Sequence, residues 1–225
     1  MSRRLAASLM TLVLVVAMLG LGTWQMQRRA WKTGVLAAID AAESRPGVAL
    51  TPDAAEFTKI AVEGSLRPNP RALYGSRVET LGGRNEMGGG LIMVLERDGA
   101  PPVLVDRGWV PAAMLDRLPA PSGSIRVEGY VRRKEAPGWF TPAPDLAARR
   151  FYNMDPASMA GALGAAGAPV FVLVALGAPP AEGLPLPATR LPRPPNDHLS
   201  YAITWYALAC VLLVIFLLWL RKTRA

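Results

Sequence analysis

Histidine occurs once in the 225 residues, as His198. It stands immediately before an uncharged apolar run, Leu199 to Leu220. Imidazole titrates near neutrality and is the commonest nitrogen ligand for metals. An ionisable side chain at the mouth of a membrane-length helix is therefore a functional candidate. Two readings are open. Neutral His198 is an axial ligand for haem iron, or it is a polar residue where a helix meets water. Nucleophilic triads need a base, and this one is far in sequence from any serine in a strand-to-helix turn. The single cysteine, Cys210, lies inside the run and leaves no partner for a disulfide within the chain or for a thiolate metal site. Glu86, Asp106, Asp145 and Asp155 are isolated or in turn contexts, so paired acid–base work is not indicated. Gly88-Gly89-Gly90 precedes a strand pattern rather than a helix, the wrong order for a dinucleotide loop. Together these absences favour a binding or assembly protein over a hydrolase or transferase.

On a helix, His198, Tyr201, Ala202, Trp205 and Ala209 share one face. Small Ala202 and Ala209 admit a partner helix or a flat ring, and Tyr201 and Trp205 offer aromatic walls. Trp24, Gln27 and Arg28 fall at the same membrane level on the first helix, where they supply packing, a hydrogen bond and a cation for a carboxylate. The alternative is an aromatic belt of Trp24, Tyr201, Trp205 and Tyr206 at the lipid–water boundary.

Two spans position these residues. Leu5 to Thr23 is uncharged and, at about 1.5 Å per residue, just long enough for a hydrocarbon core. It exceeds the usual apolar stretch of a signal peptide and reads as a retained anchor. Residues 24–45 keep helical spacing through Trp31, Val35, Ala38 and Ile39. Residues 1–4 and 221–225 form short basic tails, and 198–220 is the second span. Arg28, Arg29 and Lys32 taken alone would orient the first span the other way, but Arg221-Lys222-Thr223-Arg224 is the denser basic tail. Both termini are therefore expected in the cytoplasm and the main domain in the periplasm.

Residues 46–176 read as an antiparallel β-rich (α+β) domain. Alternation runs through Ile60 and Val62 and through Ile125, Val127 and Val131. Leu91–Leu95, Arg97-Asp98-Gly99 and Val103–Val105 form a hairpin pattern. Val170 to Leu176 is a buried strand. Asp155-Pro156 caps a short helix through Leu163. Residues 177–197 hold seven prolines and read as an extended return arm to the second span.

The net charge of +8 does not indicate nucleic-acid binding. The basic residues are scattered or flank the spans, where they set topology and touch anionic headgroups of membrane lipids.

Three motifs carry a resemblance. Gly22-Thr23-Trp24-Gln25, with Arg28, Trp31 and Lys32, resembles the first-helix motif of the surfeit locus protein one family. Arg107-Gly108-Trp109-Val110-Pro111 resembles its central signature. Asn196-Asp197-His198-Leu199-Ser200-Tyr201-Ala202-Ile203-Thr204-Trp205-Tyr206 resembles its second-helix signature. Here Asp197 stands where the family commonly has proline, and Ser200 where it commonly has glycine. The resemblance implies a non-enzymatic assembly factor for haem-copper cytochrome c oxidase, which binds haem a transiently and assists its insertion into subunit I. It implies haem iron ligation by His198, with subunit I and a haem a synthase as partners. Gln25, Arg107, Gly108, Trp109 and Asn196 are carried over as signature residues, and Trp24 and Arg28 as motif residues. A cofactor-free scaffold for an oxidase assembly intermediate is the alternative, and a membrane enzyme acting on haem or quinone ranks last. The alanine-, arginine- and proline-heavy composition points to a bacterial inner membrane.

Overall fold

The computed structural model describes residues 3–119 and 122–224, so residues 1, 2 and 225 of the two tails lie outside the described residues. Eleven helices and strands are used below: α1 (Arg3–Glu43), β1 (Val48–Ala49), β2 (Lys59–Leu66), β3 (Ala72–Leu81), β4 (Arg84–Arg97), β5 (Ala100–Pro111), β6 (Ser124–Arg133), β7 (Arg150–Phe151), α2 (Pro156–Leu163), β8 (Phe171–Ala175) and α3 (His198–Arg224). The chain forms two compact units. One comprises Met1–Ala41 with Pro192–Ala225, and the other Ala42–Leu191.

In the helical unit, α1 and α3 are long and apolar enough to cross a membrane, with mean hydropathy of 2.3 and 2.5 over their most apolar stretches. Leu9, Leu12, Val13 and Val16 of α1 are exposed, as are Val211, Val214, Ile215 and Leu218 of α3. A core helix would cover such side chains; these are left for lipid. At 41 residues, α1 measures about 60 Å, roughly twice a hydrocarbon core. Its second half therefore continues beyond the apolar stretch as one uninterrupted helix.

In the second unit, five long strands close on themselves. β2 pairs with β6, β6 with β8, β8 with β5 and β5 with β4. β4 then returns to β2 through Ser65↔Glu96 and Leu66↔Leu95. The result is a small five-stranded Greek-key barrel. β3 and β7 extend the sheet beyond β4, and β1 lies along β2. Most pairings are antiparallel. β5 and β8 run parallel, as do β1 with β2 and β3 with β7, so the sheet is mixed. Two spans flanking an α+β domain is the fold class that the sequence implied.

The period of two explains why the central strands read as unbroken apolar runs. Met93, Leu95, Val103, Val105, Phe171 and Leu173 pack in one core cluster. Their neighbours Ile92, Val94, Leu104 and Val172 point to the other face, against Phe151, Met154, Met159 and Leu163. α2 supplies that second layer. Asp155 is its N-cap, accepting a hydrogen bond from the Ser158 N–H at 3.3 Å, and Pro156 follows at the first helical position. Gly164 ends it with a left-handed φ of 62°.

The proline-rich segment behaves differently in its two parts. Residues 177–191 belong to the barrel unit. The backbone N–H of Leu186 donates to Trp109 O at 2.9 Å and that of Trp109 to Leu186 O at 2.8 Å, while Ala188 bridges Leu176. Leu184 and Leu191 are buried. Prolines spaced between donors leave enough N–H groups for a ragged edge, which composition alone reads as free arm. Only residues 192–197 run with the helices.

Candidate functional site

The helical unit is held by a run of contacts along the second half of α1. Arg193 Nη2 donates to Asp40 Oδ1 at 2.5 Å. Lys32 Nζ donates to Pro195 O at 2.5 Å, and Asn196 Nδ2 to Thr33 Oγ1 at 3.4 Å. The strap thus descends α1 from Asp40 toward Gln25, where α3 begins. Asp197 opens α3 as its N-cap, its carbonyl accepting from Ser200 N and Tyr201 N. Both bonds use the backbone carbonyl, which proline would offer equally.

His198 Nδ1 lies 2.6 Å from Gln25 Oε1. An amide oxygen only accepts, so Nδ1 carries the proton in this contact, and in the neutral ring Nε2 is the atom with the lone pair. Nε2 is buried and has no hydrogen-bond partner, and the same is true of Asn196 Oδ1. Two neighbouring signature residues thus present orphaned acceptors. A buried polar atom without a partner costs stability, so each demands an explanation. Gln25, known from sequence only as a signature residue, emerges as the group that orients the imidazole.

Further into the spans, Thr23 Oγ1 and Tyr206 OH meet at 3.2 Å. Gly22 lies against the same ring, where a Cβ would come within 2.6 Å of it. Ala202 and Ala209 are both buried, on the face of α3 that also carries Tyr206. Trp24 and Tyr201 are exposed, and Trp205 is half-buried. The Arg28 guanidinium covers the Trp31 ring at 4.1 Å. Of the candidate residues, the geometry brings Gln25 and His198 into contact and leaves Trp24, Arg28 and Tyr201 at the surface. Among the described residues, no three His, Cys, Asp or Glu side chains gather as a metal site.

The central signature lies in the barrel unit. Gly108 has φ of 112°, and its N–H donates to Asp106 Oδ1 at 2.9 Å. A Cβ there would fall 2.1 Å from Leu186 O. Only glycine meets both demands. Trp109 is buried, and its Nε1–H donates to Arg77 O at 3.0 Å. Burial lowers the pKa of Arg107. Gly88-Gly89-Gly90 has a similar cause: a Cβ on any of them would strike Val110 O, Tyr74 O or the Asp106 carboxylate.

Beside this signature opens a cavity of about 550 Å³. Asp106, Tyr74, Tyr130, Arg77, Arg132 and Trp109 line it. Burial pushes Asp106 up to about 6, against the Gly108 hydrogen bond and the positive charges of Arg77 and Arg132. Burial also raises Tyr74 and Tyr130. Sequence reasoning left Asp106 as an isolated carboxylate. The Asp-Arg-Gly spacing, which lets a side chain cap the N–H two residues on, was the signal.

The fold and site define a class: membrane proteins with two terminal spans, a β-barrel unit between them and one oriented histidine at the start of the second span. The chain belongs to the SURF1 family, whose profile matches residues 12–210. It is 32% identical over 214 residues to a SURF1-like protein of Drosophila melanogaster, covering 84% of this chain and 69% of that one. It is 27% identical over 232 residues to surfeit locus protein 1 of Homo sapiens, covering 94% and 75%. It is 26% identical over 235 residues to a SURF1-like protein of Rickettsia felis, covering 96% and 97%.

Proposed function

We propose that this chain is a non-enzymatic assembly factor for haem-copper cytochrome c oxidase, holding haem a as cargo and assisting its insertion into subunit I. The observation that carries the reading is the orphaned Nε2 of His198, with Nδ1–H committed to Gln25. A metal-ligating histidine ordinarily has its other ring nitrogen tied to an acceptor in this way. As cargo, haem would bring an iron centre, and this chain would hold it through the Nε2 lone pair of a neutral His198 imidazole whose Nδ1–H is kept by Gln25. Because Nε2 is covered, holding a ring there requires local rearrangement, and recovery of the cover competes with the ring. That competition suits transient custody. Arg28 and the aromatic rings of Trp24, Tyr201 and Trp205 are the nearby groups for propionates and ring faces. The proposed setting is a bacterial inner membrane, with the barrel unit in the periplasm and both termini in the cytoplasm. Subunit I and a haem a synthase are the proposed partners.

The test is expression in a host that makes haem a, followed by the visible spectrum of the purified protein. A haem band that disappears in His198→Ala is expected. A colourless protein that still co-purifies with subunit I refutes haem custody and favours the cofactor-free scaffold.

A further inference from the structure

Asp106 is only 7% exposed, yet the fold uses half of its carboxylate. Oδ1 accepts from the Gly108 N–H at 2.9 Å, while Oδ2 has no hydrogen-bond or ion-pair partner among the described residues. The residue lines the cavity of about 550 Å³ in the barrel unit, and what exposure it keeps is to that space. The neighbouring strand makes room for the group: a Cβ at Gly90 would come within 2.5 Å of Oδ2. The fold does not need the charge, because capping one N–H takes a single acceptor oxygen, which an amide supplies equally. Burial holds the carboxyl up at about 6, so at pH 7.5 it is mostly ionised and destabilises the fold that contains it. A costly group without a structural task marks a functional site.

The surroundings give the chemistry of the ligand. The cavity lining contains three charged residues, Arg77, Asp106 and Arg132. Arg77 Nε pairs with Glu79 Oε1 at 2.8 Å. Arg132 pairs with Glu135 and, through Nε at 3.4 Å, with Glu56. Both cations are thus matched, and among the described residues Asp106 alone of the three lacks a counter-ion in contact. Arg77 and Arg132 draw its pKa down, but burial outweighs them, so their fields do not meet the need of the carboxylate. A carboxylate oxygen makes its strongest hydrogen bonds to charged N–H donors. Tyr74, Tyr130, Trp109 and Met154 line the same space. Aromatic rings and a thioether accept an alkyl chain, and the rings also attract a cation. These walls are set in advance: Trp109 Nε1–H is held by Arg77 O at 3.0 Å, and Tyr130 stacks on Phe57 with ring centres 6.3 Å apart.

We propose that this cavity binds a small organic cation, a molecule with a primary ammonium group whose N–H donates to Asp106 Oδ2 and whose alkyl part lies among Met154, Trp109 and the two tyrosines. Every residue it uses belongs to the barrel unit, so the proposal stands apart from haem custody.

The experiment uses the full chain in detergent micelles, labelled with ¹³C at the aspartate carboxyl carbons, with ethylammonium chloride as the probe. The resonance missing from Asp106→Asn assigns Asp106. A ligand that prefers the ionised form must lower the pKa by linkage. Ethylammonium is expected to bring the Asp106 titration down from about 6 by half a pH unit or more, in a saturable way, while sodium chloride at equal ionic strength and ethanol leave it in place. Magnetisation transferred from the protein to the methyl protons of the probe should be seen at pH 7.5 and fade below pH 5, where the carboxyl is protonated. Binding should weaken about tenfold or more in Asp106→Asn. That variant should keep its near-ultraviolet circular dichroism, which separates lost binding from lost folding. An equal shift with sodium chloride would overturn the proposal in favour of screening. An equal shift with ethanol, or transfer that persists in Asp106→Asn, would overturn it in favour of a pocket for neutral molecules. No shift with any probe would overturn it and leave water at Oδ2. Haem custody is read from a visible band that depends on His198, so either conclusion can fail without the other.

Discussion

Asp106 gives a prediction whose size follows from its surroundings. Its carboxyl titrates near 6 in the folded protein, against an ordinary value of 3.8, chiefly because it is buried. Below pH 3.8 both folded and unfolded states hold the proton, and the group adds nothing. Between 3.8 and 6 the unfolded chain has released a proton that the folded chain keeps, so stability falls as pH rises. Above 6 the loss is complete, at about 1.4 kcal/mol per unit over roughly two units, or ~3 kcal/mol. Asp106→Asn removes the titration yet retains an amide oxygen for the Gly108 N–H, which now lies 2.9 Å from Oδ1. The variant should therefore gain on the parent protein across this window, by up to ~3 kcal/mol at pH 7.5 relative to the difference at pH 4. Urea unfolding of both proteins in detergent, followed by near-ultraviolet circular dichroism from pH 4 to 8, measures it. Other titrating groups cancel in the difference. A pH-independent difference, or one that moves against the variant as pH rises, would refute the assignment of Asp106 as a carboxyl held against its charge.

Gly108→Ala should destabilise the barrel unit by more than about 3 kcal/mol, since it combines a forbidden backbone angle with a clash on Leu186 O; the same urea titration reads it, and a loss under 1 kcal/mol would contradict the geometry. Because His198 is the single histidine, ¹⁵N-histidine labelling of the whole chain reports one imidazole. At pH 8 it should show Nδ1 protonated and Nε2 bare, and Gln25→Leu should shift the population toward the Nε2–H tautomer. In a protein that takes up haem, the same Gln25 change should weaken binding about 10- to 100-fold, read by titration of the visible band.

The strongest patterns in the sequence were those enforced by one dominant force. Two uncharged runs of membrane length, the Arg97-Asp98-Gly99 hairpin and the Asp155-Pro156 cap each follow from local chemistry, and each is where the spacing put it. β3 was not legible because it is a hairpin arm outside the barrel: Gly75, Ser76, Arg77 and Glu79 interrupt any alternation, and its register breaks between Tyr74 and Arg77. Barrel closure through Ser65 and Leu66 involves only two residue pairs and leaves no periodic trace. At the site, the types in the motifs were readable, but their partners were not. Gln25 and His198 are separated by 173 positions, and nothing local pairs them. Asp106 looked ordinary because its singular property, deep burial, depends on the return segment folding over it.

The strap from Arg193 to Asn196 acts as a ruler. Fixed to α1 at Asp40, Lys32 and Thr33, it dictates where α3 starts its first turn, and hence which way His198 looks. Adding or deleting one residue within it would shift α3 by about 1.5 Å and turn it by about 100°. The imidazole would swing away from Gln25 with every membrane-facing side chain still intact. Length here, more than composition, sets the register of α3 against α1: a link gained or lost in this segment would move the imidazole off its partner.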